Sequence, residues 1–386
     1  MTASTETNPM HIHDPFTEEE RLFLDSVGTF FERELDGRLA EWEAAGAEGL
    51  DYWAKAAEQG LVGLCVPEEY GGPGASPVFN VLLSYELGKH IGYATVGGNI
   101  ATDLASMILF EGGSEAMKRA LAPRILAGEI QCMALTEPDA GSDAAAIKTS
   151  ARRDGEDWVL NGKKVYISNG YRADLLYIAA MTDPSAGIRG MSLFLVEGDA
   201  KGLVRRKMQT MSFPSGGVGE LFLDDVRVPA GNLIGEEGNA VALLSSTLGV
   251  DRLQTGARAL AQAELAFAMT VDYAKQRQIQ GKTLIQYQNT QMVLAQMKTE
   301  IEVGLVLFHD HLRRLRDGQY PNIDAAIAKN WLCEMSARVL DGCVQVYGGA
   351  GFMDEMPLSR LYTSNRQFRI VAGTTELLKL QIARKL

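Results

Sequence analysis

The spacing of apolar residues changes twice along the chain, and this change restricts the possible folds most strongly. From residue 17 to about 128, apolar residues recur every three or four positions, as in amphipathic helices. From about 131 to 238 the pattern becomes one of short β-type runs, and Asn161-Gly162 between two of them predicts a hairpin turn. Helical spacing returns from Leu243. The sequence therefore predicts an α+β protein in which a β unit lies between two helical units.

The predicted units are a flexible tail at 1–16, a helical domain at 17–130, a β domain at 131–242 and a helical domain at 243–386. A chain of 386 residues is long enough for each domain to have its own core. Because the first fifteen residues are polar, we expect no signal peptide there. No apolar run approaches the ~18 residues that a membrane-spanning helix needs, so we expect no membrane segment.

Charge and cysteine content narrow the classes of partner. The formal net charge of −12 argues against nucleic acid, whose phosphates require a basic face. The four cysteines are widely separated and show no metal-type spacing: Cys65, Cys132, Cys333 and Cys343. They predict reduced thiols and a cytoplasmic location.

Several enzyme motifs are incomplete. His309 and His311 are two positions apart in a helical pattern, so their side chains point to different faces and predict no metal site. Gly281–Thr283 resembles part of a phosphate-binding loop, but Gln276 occupies the place of its first glycine. The sequence contains no Gly-x-Ser-x-Gly elbow of a serine hydrolase.

Two stretches in the β domain and one near the carboxyl end have the composition of a ligand site. MALTEPDAGSD (133–143) runs from a β-type segment into an Asp/Gly/Ser turn, which can present hydroxyls and backbone donors. KKVYISNG (163–170) ends a second β-type segment with an aromatic residue and a hydroxyl. The loop GTTE (373–376) opens the last helix, where backbone N–H groups can bind polar ligand groups.

With four further stretches, these segments resemble the acyl-CoA dehydrogenase flavoprotein superfamily in both order and spacing. The additional stretches are VPEEYGG (66–72), DDVRVP (224–229), R-x-x-x-G-K (277–282) and QVYGGAGF (345–352). The resemblance covers nearly the whole chain. It implies an N-terminal α-helical domain, a middle β-barrel-like domain and a C-terminal four-helix bundle, assembled as a homotetramer.

The resemblance also implies FAD, held between the middle and C-terminal domains and across a subunit boundary. Met133 would lie beside the cofactor, and Leu135 and Thr136 would hydrogen-bond the pyrimidine edge of the flavin. Gly141 and Ser142 would lie near the FAD diphosphate or the pantetheine of an acyl-CoA substrate. The other cofactor-binding residues expected by position are Tyr166, Ile167 and Ser168 on the flavin ring, Arg277, Gln288, Gln345 and Gly349 from a neighbouring subunit, and Thr374 and Glu376 in the closing loop.

The position of the catalytic base departs from the commonest pattern of the family. Many members carry a glutamate just before the Gly-Thr of the terminal loop, but Ala372 stands there. Long-chain and isovaleryl-CoA dehydrogenases instead carry a glutamate before the arginine that opens the first C-terminal helix. Here that pair is Asp251 and Arg252. Asp251 is therefore the expected base, although its side chain is one methylene shorter, a deficit of ~1.5 Å in reach.

Other roles for these acids stay open at this stage. Asp251 with Gln254 three residues later also fits an N-cap and capping box. Arg252 would contact the substrate and hold the carboxylate, or would be an ordinary surface charge. Asp103 interrupts an apolar helical segment, so it is paired, exposed or functional as a substrate contact or alternative base.

The leading hypothesis is an FAD-dependent acyl-CoA dehydrogenase that passes its electrons to an electron-transfer flavoprotein. One alternative is a flavin oxidase or monooxygenase with the same fold. The other is a partner subunit of a mixed tetramer that lacks the base, which Ala372 would suit.

Overall fold

The computed structural model describes residues 15–45, 49, 51–96, 99–100, 103–212, 217–318 and 320–386. Most of the predicted tail at 1–16 lies outside these residues. The first helical region packs seven helices around aromatic and aliphatic side chains. They are α1 (Glu18–Glu34), α2 (Leu39–Ala45), α3 (Asp51–Glu58), α4 (Pro77–Gly88), α5 (Ile91–Val96), α6 (Leu104–Gly112) and α7 (Glu115–Leu126).

The middle region is one twisted sheet in which β1 pairs with β4 beside the path β6-β7-β3-β2-β4-β5-β8. Every residue of the central strand β4 is buried, because helices cover one face and the sheet packs on itself on the other. The strands are β1 (Gln131–Ala134), β2 (Ser150–Asp154), β3 (Asp157–Ser168), β4 (Leu175–Met181), β5 (Met191–Glu197), β6 (Leu203–Lys207), β7 (Val218–Val228) and β8 (Leu233–Ile234).

The predicted hairpin turn at Asn161-Gly162 is wrong, because both residues lie inside β3. The turn between β2 and β3 is made instead at Gly155, whose φ of 67° is left-handed. Gly162 serves close packing: a Cβ there would come within 2.4 Å of the Thr149 side-chain oxygen. Asn161 exchanges two hydrogen bonds with Asp225 on β7. The strand pair therefore continues through the Asn-Gly dipeptide.

The last region is built on three long helices, α8 (Ala240–Gln276), α9 (Gln288–Arg316) and α10 (Asn322–Tyr347). The short hairpin β9 (Gln278–Ile279) and β10 (Lys282–Thr283) joins α8 to α9, and α11 (Pro357–Asn365) and α12 (Thr375–Ala383) follow α10. α8 and α10 approach closely at Gly256, where a Cβ would lie 2.9 Å from Leu332 Cδ1. Helix α4 packs across α8, so α8 joins the two helical regions.

Candidate active site

One cleft of about 280 Å³ collects side chains from all three regions of the chain. Its walls are the end of β1, the end of β3, the middle of α8, the segment that precedes α12, and residues of the first helical region such as Tyr93 and Leu104. Seven of the predicted site residues line it together: Met133, Leu135, Thr136, Tyr166, Ile167, Ser168 and Asp251. Ala372 lines it too, so both family positions for the base face the same space.

A buried ion pair holds the segment after β1. Lys164 is fully buried on β3, and its Nζ donates to the Leu135 carbonyl at 3.0 Å and to a Glu137 carboxylate oxygen at 2.7 Å. Glu137 also accepts from the backbone N–H groups of Lys148 at 2.6 Å and Thr149 at 3.0 Å. Burial lowers the pKa of Lys164 to about 8. The ion pair thus positions Leu135 at the cleft, a role that sequence reasoning missed.

The end of β3 is deformed where it meets the cleft. The register with β7 shifts between Lys164 and Ile167, and Tyr166 within this bulge has a left-handed φ of 60°. Its ring is 67% exposed, while Ile167 is buried and Ser168 is exposed. A strained aromatic residue at a cleft wall is typical of a ligand site. A flat ring can stack on Tyr166 with Ser168 and the 135–136 segment at its edge, so this wall fits a flavin.

Asp251 is not a helix cap. It lies eleven residues beyond Ala240, the first residue of α8, and Asn239 occupies the N-cap position. The cap interpretation is therefore wrong, because α8 begins about three turns before Asp251. Burial raises the pKa of Asp251 above its usual range, against the positive charges of Arg258, Arg252 and Lys329. Among the described residues, no group donates a hydrogen bond to its carboxylate.

Arg252 faces away from the cleft and holds the terminal loop. It is 2% exposed and donates from Nε to the Ala372 carbonyl at 3.3 Å and from Nη1 to the Asn322 carbonyl at 3.4 Å. The buried Lys329 ammonium donates to the Gly373 carbonyl at 2.7 Å. Two cations therefore fix a loop in which Ala372 and Gly373 both have left-handed φ values, 55° and 97°. Arg252 was expected to contact the substrate, but its guanidinium binds these backbone carbonyls and does not line the cleft.

Comparison with known proteins agrees with this geometry. Family models of the N-terminal, middle and C-terminal domains of acyl-CoA dehydrogenase match residues 17–129, 132–226 and 238–386. The chain is 36% identical over 375 residues to the mitochondrial long-chain specific acyl-CoA dehydrogenase of Sus scrofa, covering 96% of this chain and 87% of that protein. The chain belongs to the acyl-CoA dehydrogenase family. The predicted family, fold class and enzyme class are confirmed.

Solved structures of acyl-CoA dehydrogenases superpose closely. An acyl-CoA dehydrogenase from Geobacillus kaustophilus is similar with a TM-score of 0.92 and 36% identity, over 96% of this chain and 98% of that chain. A glutaryl-CoA dehydrogenase from Mycobacterium smegmatis in complex with FADH2 is similar with a TM-score of 0.87 and 28% identity, over 96% of this chain and 95% of that chain. The predicted cofactor, FAD, is thus confirmed as the one that the family uses.

In this acyl-CoA dehydrogenase, Asp103 does not line the cleft, although the next residue, Leu104, does. It is 3% exposed and accepts from the backbone N–H groups of Gly63 and Cys65, each at 3.3 Å. Burial raises its pKa to about 6, and these backbone donors oppose the shift. Asp103 therefore anchors the 63–65 loop, and the structure does not bring it to Asp251.

Four other predicted residues are not among those that line the cleft. Gly141 and Ser142 are exposed in the turn after β1. Thr374 caps α12 by accepting from the Leu377 N–H at 3.3 Å, and Glu376 is exposed in the first turn of that helix.

The remaining predicted cofactor residues lie at the opposite end of the bundle. The exposed residues are Arg277, Gln288, Gln345 and Gly349. The end of α8 meets the end of α10 through Tyr273 and Tyr347, whose rings stack 4.1 Å apart. The 26 residues from Asp251 to Arg277 along α8 correspond to about 39 Å. These residues are therefore far from the cleft of their own chain.

The cleft also contains residues that the motifs did not indicate. Thr255 and Arg258 follow Asp251 at helical spacings of four and seven, so the three side chains share one face of α8. Gln131 lines the same space, bonded to Ser106 at 2.8 Å and to the Tyr177 hydroxyl at 3.0 Å. The spacing on α8 was visible in the sequence, but only the packing shows which face is turned to the cleft.

In the described part of the chain, no group of three or more His, Cys, Asp and Glu residues could hold a metal ion. Within the same residues, no helix has both the length and the apolar content needed to cross a membrane. His311 is buried and lies 3.2 Å from the Tyr320 hydroxyl through Nδ1.

Proposed function

We propose that this chain catalyses the FAD-dependent α,β-dehydrogenation of an acyl-CoA thioester with Asp251 as the base. The observation that carries the proposal is the cleft itself. In it, the Asp251 carboxylate, which accepts no hydrogen bond from any described residue, shares one space with the wall that fits a flavin. The other family position for the base is Ala372, which has no ionisable group.

The reaction needs proton removal and hydride removal at adjacent carbons. Asp251 takes the proton from the carbon next to the thioester carbonyl. Because burial disfavours its charged form, its carboxylate is a stronger base than one in water. A bound flavin would supply the acceptor for the hydride that leaves the β-carbon. The substrate thus loses one proton and one hydride and gains a carbon–carbon double bond.

The wall of the cleft orients the cofactor. Leu135 and Thr136 would hold its pyrimidine edge, Tyr166 would stack on the ring, and Ser168 would bond near the reacting nitrogen. The Lys164–Glu137 ion pair fixes the backbone of the cleft wall at Leu135. Gly141 and Ser142, which are exposed in the turn after β1, would contact the diphosphate or the pantetheine.

A second copy of the chain completes the cofactor site. Arg277 lies about 39 Å along α8 from Asp251, and Gln288, Gln345 and Gly349 lie toward the same end of the bundle, too far to reach the diphosphate and adenine of the same FAD. Their exposure leaves them available to the cofactor of a neighbouring subunit. We therefore propose a homotetramer. The four thiols without disulfides are consistent with a reducing compartment such as the cytoplasm.

Electrons leave the reduced cofactor to an electron-transfer flavoprotein in this proposal. The oxidase and monooxygenase alternatives require reduced enzyme that reacts rapidly with oxygen. Reoxidation of the reduced holoenzyme by air and by an electron-transfer flavoprotein should therefore be compared. Slow reoxidation by air and rapid reoxidation by the flavoprotein are expected, and the reverse order would favour the oxidase class.

The test of the base is anaerobic bleaching of the flavin absorbance by straight, branched, cyclic and dicarboxylic acyl-CoAs. We expect Asp251→Asn to retain FAD and to bleach about 10²–10⁴-fold more slowly, the usual contribution of a general base. Asp103→Asn is the matched control, since it removes a buried carboxylate outside the cleft. Unchanged bleaching in Asp251→Asn would refute the base assignment. No bleaching of wild type by any thioester would refute the dehydrogenase.

A further inference from the structure

Arg258 is a buried cation that the proposed reaction does not use. It lines the cleft seven residues beyond Asp251 and on the same face of α8, with Thr255 between them. The residue is only 6% exposed. The side chain is therefore largely removed from water and lines the cleft in which the proposed reaction takes place.

The guanidinium has donors without acceptors. Its Nε and Nη1 atoms are buried and have no hydrogen-bond partner among the described residues. No carboxylate oxygen of a described residue, Asp251 included, lies within 4.0 Å of it. A buried charge without a partner is costly and is normally paired. The other buried cations near Asp251 do have acceptors, since Arg252 and Lys329 bind the carbonyls of the terminal loop.

The backbone around Arg258 is fixed. Helix α4 crosses α8 at this point, and a Cβ on Gly88 would come within 2.7 Å of the Arg258 carbonyl oxygen. α8 therefore cannot shift there to bring the guanidinium to the surface. The missing partner must come to the side chain.

We propose that Arg258 binds a carboxylate at the far end of the acyl group, so that the substrate is a dicarboxylic acyl-CoA thioester. This inference rests on the proposed dehydrogenase function. The guanidinium matches the bidentate geometry of a carboxylate, and such a bond is strong at a side chain that is only 6% exposed. An apolar chain end would leave the guanidinium desolvated and unpaired, so the same residue disfavours simple fatty acyl chains.

The geometry limits the length of the substrate. Seven residues along α8 separate the backbones of Asp251 and Arg258 by about 10.5 Å. The long arginine side chain leans toward the N-terminus of the helix and shortens this span. The terminal carboxylate of the substrate is thus expected within about 10 Å of the reacting carbons. Dicarboxylic thioesters of increasing chain length will show which length fits this distance.

The test uses matched pairs of thioesters that differ only in the terminal group. Glutaryl-CoA is compared with pentanoyl-CoA, adipoyl-CoA with hexanoyl-CoA, and suberoyl-CoA with octanoyl-CoA. Rates of anaerobic flavin reduction against substrate concentration are measured for the wild-type holoenzyme, Arg258→Met and Arg258→Lys. At the matching length, we expect wild type to favour the dicarboxylic member by about 10²-fold or more in kcat/KM.

The variants distinguish two roles of Arg258: binding the terminal carboxylate of the substrate, and changing the basicity of Asp251. Arg258→Met should lose about 10²-fold on the dicarboxylic thioester and should gain, not lose, activity on its neutral partner, because a desolvated guanidinium no longer opposes the apolar chain end; Arg258→Lys should recover part of the loss on the dicarboxylic member. Equal losses on both members would overturn the inference and leave the dehydrogenase standing, because Arg258 would then act only on Asp251. Should Arg258→Met not retain FAD, the wild-type ratio decides, and no preference at any length overturns the inference. No bleaching by any thioester overturns the proposed function and this inference with it.

Discussion

Replacing Lys164 with methionine removes the buried ammonium under the wall that fits the flavin. The substitution deletes a 2.7 Å bond to Glu137 and a 3.0 Å bond to the Leu135 carbonyl. Methionine fills nearly the same volume, so the cavity contribution is small. Glu137 keeps its two backbone donors but loses its cation.

Removing one partner of a buried ion pair costs about 3–5 kcal/mol in the free energy of unfolding. Because Glu137 keeps two backbone hydrogen bonds, we expect Lys164→Met to lower the free energy of unfolding by about 3 kcal/mol, the lower end of this range. Lys163→Met is the matched control on the same strand. Its side chain is 40% exposed and pairs with Glu220 at 2.5 Å, and such a surface pair contributes about 1 kcal/mol or less.

The assay is urea unfolding of the apoprotein followed by circular dichroism, together with the ratio of FAD to protein after purification. We expect Lys164→Met to unfold at lower urea than Lys163→Met and to retain less FAD, because Leu135 loses its anchor. Adding Glu137→Gln should recover part of the stability, since no unpaired buried charge then remains. Equal unfolding free energies for the two lysine variants, within about 0.5 kcal/mol, would refute the role of the buried pair.

Three further predictions concern the cleft and its surroundings. In Asp251→Ala, adding Ala372→Glu should restore part of the flavin reduction rate, measured anaerobically, because both positions face one cleft; no recovery with FAD bound would contradict this. Tyr166→Ala should release FAD about tenfold more readily and change the stability of the apoprotein by about 0.5 kcal/mol or less, measured by FAD titration and urea unfolding. Burial raises the pKa of Asp103 to about 6, so its native form retains a proton that the unfolded chain releases, and stability falls as pH rises from about 4 to 6. Relative to Asp103→Asn, wild type should lose about 3 kcal/mol of unfolding free energy over this range, and parallel pH profiles would refute the shift.

Local sequence patterns were sufficient to predict the family and the order of the helical and β regions. The change from helical to strand spacing and back predicted the three regions, because each spacing reflects which side chains one element can bury. The flavin-edge residues could be placed because two short motifs carry them. Ala372 excluded a base at the usual position by its chemistry alone.

Local patterns failed where distant packing decides the outcome. Asp251 with Gln254 has the pattern of a helix start, yet α8 begins eleven residues earlier, at Ala240. The first turn of α8 is helical because residues such as Leu243 are buried against neighbouring elements. Asn161-Gly162 has the form of a turn, but β7 pairs with that part of β3 and keeps it extended. Propensity is a weak guide when tertiary contacts can supply more free energy.

The sequence by itself determined the family, the order of the regions and the loss of the usual acid. Only the tertiary structure decided that Ala372 and Asp251, 121 positions apart in the chain, face one cleft, and that Arg258 is buried there without an acceptor among the described residues. The physical reason is that burial and charge pairing are properties of the surroundings. The residue type alone does not tell whether a carboxylate or a guanidinium will be solvated by water, paired with another side chain or bound to a substrate.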